Sequence, residues 1–412
     1  MFEHGVTEVI GRRYDTAEPV RIQIGEGRVR RVSRLPLEIA GQRGLPWVAP
    51  GFVDIQVNGY GGQEFSSLAL TRQKVAAIVE QHYAFGVTAF CPTLTTAALD
   101  VLAHGLRTIA EACDESPAVR RAIPGIHLEG PFMSTEDGPR GAHPVAHCRR
   151  PNWDEFQRLQ EAAGGLIRLL TMSVEFDEAA DFIAQATASG VVVAIGHTAA
   201  DGPHIRAAVE AGARLSTHLG NGAHRMLRRH PNYLWDQLAD DRLSASLIVD
   251  GHHLPPEVVK TFIRAKTPAR CILVSDVSGL AGLTPGRYVS SGCELEILDD
   301  GRLVIAGQDQ LLAGASLPIG AGIANVMRFA GIDLAAAIDM ATVQPARLLG
   351  FPCGGLRPGD PADLVLFDLP ERDNYSGGDL KVHATISAGE LLFGTLPEIA
   401  ADSSRVIEAN RI

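Results

Sequence analysis

Four side chains in this 412-residue sequence each follow a short apolar run: Glu129 in His127-Leu128-Glu129-Gly130-Pro131, His197 in Gly196-His197-Thr198, His218 in Thr217-His218-Leu219, and Asp276 in Ser275-Asp276. Two imidazoles with one carboxylate can hold a catalytic cation while leaving a position open for water. A cation held in this way acidifies the water and polarises a carbonyl placed beside it. A second carboxylate then has a proton-transfer task, taking a proton from the water and handing it to a departing amine. The pattern predicts metal-assisted amide hydrolysis, with Glu129, His197 and His218 as ligands and Asp276 as the catalytic base and acid. Zinc (Zn2+) is the default ion for one such site, and the same donor atoms suit Fe2+ or Mn2+.

A single histidine at a strand end is more often structural than a ligand, so the weight lies in four strand ends acting together. His127 stands two residues before Glu129, on the same side of a strand, and is read as a neighbour of the site. His4, His82, His104, His147, His204 and His383 lie off the strand ends and are read as structural or surface residues.

Bringing these ends together requires parallel strands. Eight apolar runs alternate with helical segments: Phe52–Val57, Val87–Pro92, Ala122–Leu128, Leu166–Val174, Val191–Ile195, Arg214–Thr217, Ala245–Val249 and Arg270–Ser275. Eight βα units predict a closed (β/α)8 TIM-like barrel over residues 50–354, with its chemistry at the C-terminal strand ends. Among the intervening segments, Arg72–Phe85 carries Val75, Ile78, Val79 and His82 at helical spacing, and Asp201 is placed to cap a helix ending near Ala211. Residues 1–49 and 355–412 show short β-prone runs with Gly and Pro punctuation, and predict a small β-sandwich domain made from both chain ends.

The formal net charge of −11 argues against general binding to nucleic acid or anionic membrane, so an anionic ligand would need a local basic cluster. The six cysteines are scattered without metal-ligand spacing and read as reduced thiols. Met1–Arg13 lacks a basic region followed by an apolar run, and no apolar stretch reaches the roughly 20 residues of a membrane helix. A cytoplasmic protein with no signal peptide is expected.

With their flanks, these strand ends resemble the N-acetylglucosamine-6-phosphate deacetylase family of the amidohydrolase superfamily. The matching segments are Pro50–Gly59, His127–Phe132, Gly196–Thr198, Thr217–Leu219 with Asn221, and Leu273–Asp276. The resemblance implies removal of acetate from an N-acetylated amino-sugar phosphate, with N-acetylglucosamine 6-phosphate as the expected substrate. Many superfamily members carry His-x-His at the first strand end for a second metal. Gln56-Val57-Asn58 stands there instead, which implies the one-metal branch, with both amides hydrogen-bonded inside the barrel. By the same resemblance His143 contacts substrate near the scissile amide, His253 contacts the sugar or its phosphate, and Asn221 with the backbone of Gly222 receives substrate oxygens. Arg229, within the basic run His224–His230, stands where the family places an arginine that reaches the neighbouring subunit's site, which implies a homodimer.

One departure falls in the substrate turn. Leu219-Gly220-Asn221-Gly222-Ala223-His224 lacks the aromatic that the family usually places after the leucine, so a wider pocket or a different sugar is expected. Two alternatives stay open on sequence alone: an amidohydrolase acting on another N-acyl sugar or small amide, and a barrel that serves as a non-catalytic subunit.

Overall fold

Phe52–Val57 forms a strand in which all six residues are buried, as expected of an apolar run covered on both faces. The computed structural model places seven more strands beside it: Val87–Thr95, Ile126–Glu129, Ile167–Met172, Val192–Ile195, Leu215–Ser216, Ser244–Leu247 and Cys271–Leu273. They follow chain order and pair in parallel. A parallel bridge between Val57 and Val277 joins the last segment to the first strand, with Asp276 N donating to Gln56 O at 3.0 Å and Asn58 N to Val277 O at 2.9 Å. The structure describes residues 5–35, 44–290, 293–370 and 379–397.

Two apolar layers hold this barrel. Val53, Ile55, Cys91, Leu169, Ala194 and Ile272 pack together in one cluster, as side chains filling a barrel interior do. A larger cluster joins the alternate strand residues, such as Phe52, Phe90, Leu128 and Leu170, to helix residues. Helix Arg72–Tyr83 buries Val75, Ile78, Val79 and His82, the face its spacing predicts, and Thr71 caps it. Asp201 caps Gly202–Ala211 by accepting from His204 N at 3.2 Å.

One strand start differs from expectation. Ala122 ends a short helix, Pro117–Ala122, and the third strand begins only at Ile126. Ser116 accepts from Val119 N and Pro117 opens the first turn, a local start signal that outweighs the apolar content of Ala122 and Ile123.

A further element interrupts the barrel after its last strand. Gly286–Ser290, Cys293–Ile297, Leu303–Ile305 and Gln308–Leu312 form a four-stranded antiparallel sheet. Leu280, Leu295, Ile297 and Leu303 give it a small core of its own. It leads back to the barrel through Ala315, whose N–H donates to Asp276 O at 3.0 Å.

Both chain ends meet in one seven-stranded sheet, ordered Glu390–Gly394, Lys381–Ser387, Leu364–Asp368, Trp47–Pro50, Glu8–Arg13, Pro19–Gly25 and Arg28–Arg34. Val9, Ile22, Val48, Leu364 and Ile386 lie in its core. The portions at 1–4, 36–43, 371–378 and 398–412, assigned from sequence to the same unit, lie outside the described residues. Among the described residues no helix is long and apolar enough to cross a membrane.

Candidate active site

The third, fifth and sixth barrel strands deliver their terminal side chains to one point. Glu129 Oε1 lies 3.2 Å from His197 Nε2 and 3.1 Å from His218 Nε2, and the two imidazole nitrogens are 3.1 Å apart. A tetrahedral ion with bonds of roughly 2.0–2.1 Å holds its ligand atoms about 3.3 Å apart, close to these spacings. His197 Nδ1–H donates to Pro139 O at 2.9 Å, which leaves the lone pair of a neutral ring on Nε2, aimed at the other two atoms. Lone pairs facing one another in a buried site repel unless a positive charge sits among them, so the donor set fits a cation.

The strand exits are conformationally unusual. His197 has φ 50°, His218 φ 27° and Asp276 φ 51°. Non-glycine residues in the left-handed region cost on the order of 1–3 kcal/mol each and concentrate at functional sites. Here they are the residues that carry the site's imidazoles and its second acid.

Asp276 shares the cavity with this triangle. Burial and then the negative Glu129 push its carboxyl up to about 6, which suits proton exchange near neutrality. Glu129 behaves oppositely: burial alone would raise it, but the His197 and His218 ring nitrogens beside it hold it well below its ordinary value. His127 sits between Thr171 Oγ1, 2.8 Å from Nε2, and Thr93 Oγ1, 3.3 Å from Nδ1, the place of a neighbour.

His143 stands beside the triangle, its Nε2 4.0 Å from Glu129 Oε1 and its Nδ1 2.8 Å from Thr96 Oγ1. Glu129, His143 and His197 also offer ligand atoms within 4.8 Å of one another, but the triangle with His218 is tighter. Burial and then His197 push His143 down to about 3, so the ring is neutral. His253, Asn221 and Gly222 line the same cavity, of about 1100 Å³. Asp250 fixes His253, accepting from Nδ1–H at 2.7 Å and from the His252 and His253 backbone at 2.8 and 2.9 Å. Burial opposes charge on Asp250, yet these donors hold its carboxyl down to about 2.

Arg229 is exposed and lies outside the lining of this chain's cavity, whereas Arg140, Arg225 and Arg302 line it. Nor does Gly220 leave the open space its size suggests: a Cβ there would stand 3.1 Å from the Phe262 ring and 3.2 Å from Leu254. Phe262 and Leu254 thus occupy the space on the Cβ side of Gly220, which itself lines the cavity. Sequence reading assigned no role to the partners that set the geometry, namely Thr96, Pro139 and Asp250. For Asp250 a signal existed, because an aspartate directly after an apolar run and three residues before a histidine can cap that turn.

A metal-dependent hydrolase barrel is the class that this fold and site define. The model of the amidohydrolase family matches residues 47–392, and the chain belongs to that family. N-acetylglucosamine-6-phosphate deacetylase of Bos taurus is 34% identical, over 84% of this chain and 83% of its own length. N-acetylgalactosamine-6-phosphate deacetylase of Shewanella is 32% identical, over 83% and 82%. Among solved structures, an aspartate-to-alanine mutant of the Mycobacterium smegmatis N-acetyl-D-glucosamine-6-phosphate deacetylase, in complex with N-acetyl-D-glucosamine 6-phosphate, superposes with a TM-score of 0.80 at 32% identity. It covers 94% of this chain and 99% of that one.

Proposed function

We propose that the protein hydrolyses the acetamide of N-acetylglucosamine 6-phosphate, releasing acetate and glucosamine 6-phosphate. The observation that carries this reading is the convergence of Glu129, His197 and His218 at 3.1–3.2 Å beside Asp276, in a chain similar to deacetylases of this substrate. Those three residues would hold one divalent ion, zinc by default or Fe2+ or Mn2+. When bound, the ion supplies Lewis acidity, polarising the amide carbonyl and acidifying a water. Asp276 takes a proton as the water oxygen bonds to the carbonyl carbon, then returns it to nitrogen as the C–N bond breaks. Neutral His143, held by Thr96, is placed to hydrogen-bond the substrate near the scissile amide. His253, Asn221 and the Gly222 backbone orient the sugar, and their N–H groups suit anionic oxygens.

The same reading makes the enzyme a cytoplasmic homodimer in which Arg229 serves the partner's site. Its exposure, outside its own chain's cavity, agrees with that role. A second substrate, N-acetylgalactosamine 6-phosphate, is favoured by the Shewanella relative. The test is acetate release from both N-acetylhexosamines, with and without the 6-phosphate, before and after chelation. Turnover of the glucosamine derivative that chelator stops and zinc restores is expected. A metal-loaded enzyme inert toward it, or one that strongly prefers the galactosamine derivative, overturns the substrate assignment.

A further inference from the structure

Gln56 and Asn58 stand two residues apart where the first barrel strand ends, so strand alternation sends both side chains to one side. Each spends its amide N–H on a different carboxylate. Gln56 Nε2 donates to Glu129 Oε2 at 3.1 Å. Asn58 Nδ2 donates to Asp276 Oδ1 at 2.8 Å and approaches Asp276 O at 3.4 Å. Because both partners of Asn58 Nδ2 are oxygens, the orientation of its amide is set. The Glu129 oxygen left over, Oε1, is the one that faces His197 and His218.

We propose that Gln56 and Asn58 are a pair of positioning residues, each occupying one oxygen of a working carboxylate so that Glu129 Oε1 is presented to the cation and Asp276 Oδ2 to the proton being moved. The backbone supports the base's half of this arrangement. Gln56 O accepts from Asp276 N at 3.0 Å and Asn58 N donates to Val277 O at 2.9 Å, so the segment that carries Asp276 is indexed to the first strand end. A side-chain amide suits the task because it donates without adding charge beside two carboxylates. The inference rests on the deacetylase reading given above.

The test uses the full-length, zinc-loaded enzyme and begins with the unsubstituted protein: no acetate release from N-acetylglucosamine 6-phosphate defeats the deacetylase reading itself. Given turnover, Asn58→Ala lowers kcat about ten- to a hundredfold while KM and zinc content hold. Asn58→Asp, nearly the same shape, falls further, since a carboxylate facing Asp276 Oδ1 repels it; a residue that merely filled space would give the opposite order. Gln56→Met, which keeps length and loses the donor, weakens zinc retention against a chelator by roughly ten- to a hundredfold. Wild-type kcat in Asn58→Ala, Asn58→Asp as active as Asn58→Ala, or wild-type zinc retention in Gln56→Met overturns the proposal. If Asn58→Asp fails to fold, the kcat-against-KM comparison in Asn58→Ala decides for that residue.

Discussion

His197 Nδ1 donates to the carbonyl oxygen of Pro139 at 2.9 Å, so the loop that carries His143 also orients a ring of the proposed metal site. Two glycines make room for this contact. A Cβ on Gly141 would lie 3.1 Å from His197 Cε1, and one on Gly222 only 2.7 Å from His197 Nδ1, with both residues at φ 58°.

Gly222→Ala therefore strains the backbone and displaces the His197 ring at once. Zinc retention against a chelator should fall at least about tenfold, with a cost of roughly 1–3 kcal/mol from the left-handed conformation alone. Metal analysis after graded chelator dialysis measures it, and retention equal to wild type contradicts the packing described.

Asp276→Asn removes the proposed proton acceptor but leaves the Glu129, His197 and His218 triangle intact. We expect kcat to drop by roughly 10²–10⁴, the usual worth of a positioned acid or base, with the metal content unchanged. Activity within a few-fold of wild type would transfer the proton task to another group.

Arg229→Ala should raise KM for the phosphorylated substrate about tenfold or more and leave an unphosphorylated analogue unaffected, as loss of a charge-assisted phosphate contact predicts. Steady-state kinetics on the two compounds decides the matter, together with particle size in solution. Equal effects on both, or a monomer that keeps full activity, removes Arg229 from the site.

Asp54 gives a stability prediction. Burial pushes its carboxyl up to about 7, against hydrogen bonds from the Gln56 and Ser275 N–H groups. The unfolded chain releases this proton near 3.8 and the folded chain near 7, so the folded state binds more protons in between. Its contribution to stability falls as pH rises through that window, by about 1.4 kcal/mol per unit, and levels off above it. Asp54→Asn should lack that component, so denaturation midpoints of the two proteins measured from pH 4 to 8 should differ in slope below 7 and run parallel above. Parallel curves throughout would mean that Asp54 is not protonated in the fold.

Much of this architecture is readable from residue order. Phe52–Val57 is delimited by its own mostly apolar run, and the other barrel strands lie within a few residues of their predicted positions, because strands buried on both faces carry a hydrophobic signal that Asp54 and Gln56 interrupt without hiding. The four-stranded insert was not anticipated. Leu295 and Ile297 alternate with glutamates and a turn-forming Asp299-Asp300-Gly301 follows, but strands this short carry little signal against the strong barrel repeat. At the site, Glu129, His197, His218 and Asp276, which the fold brings to one cavity, stood out as polar residues at the ends of apolar runs. Thr96, 47 positions from His143, and Pro139, 58 from His197, act through contacts that only the folded chain creates.

The insert has a consequence for how such a protein can change. Leu295, Arg302, Ile305 and Leu312 reach the cavity from this sheet, which has a core separate from the barrel's. The groups proposed to break the bond and one part of the cavity wall are thus encoded in different stretches of the gene. Mutation can remodel the rim of the pocket while the machinery on the barrel floor is inherited untouched, and new acyl-sugar preferences can be sampled without first losing the reaction.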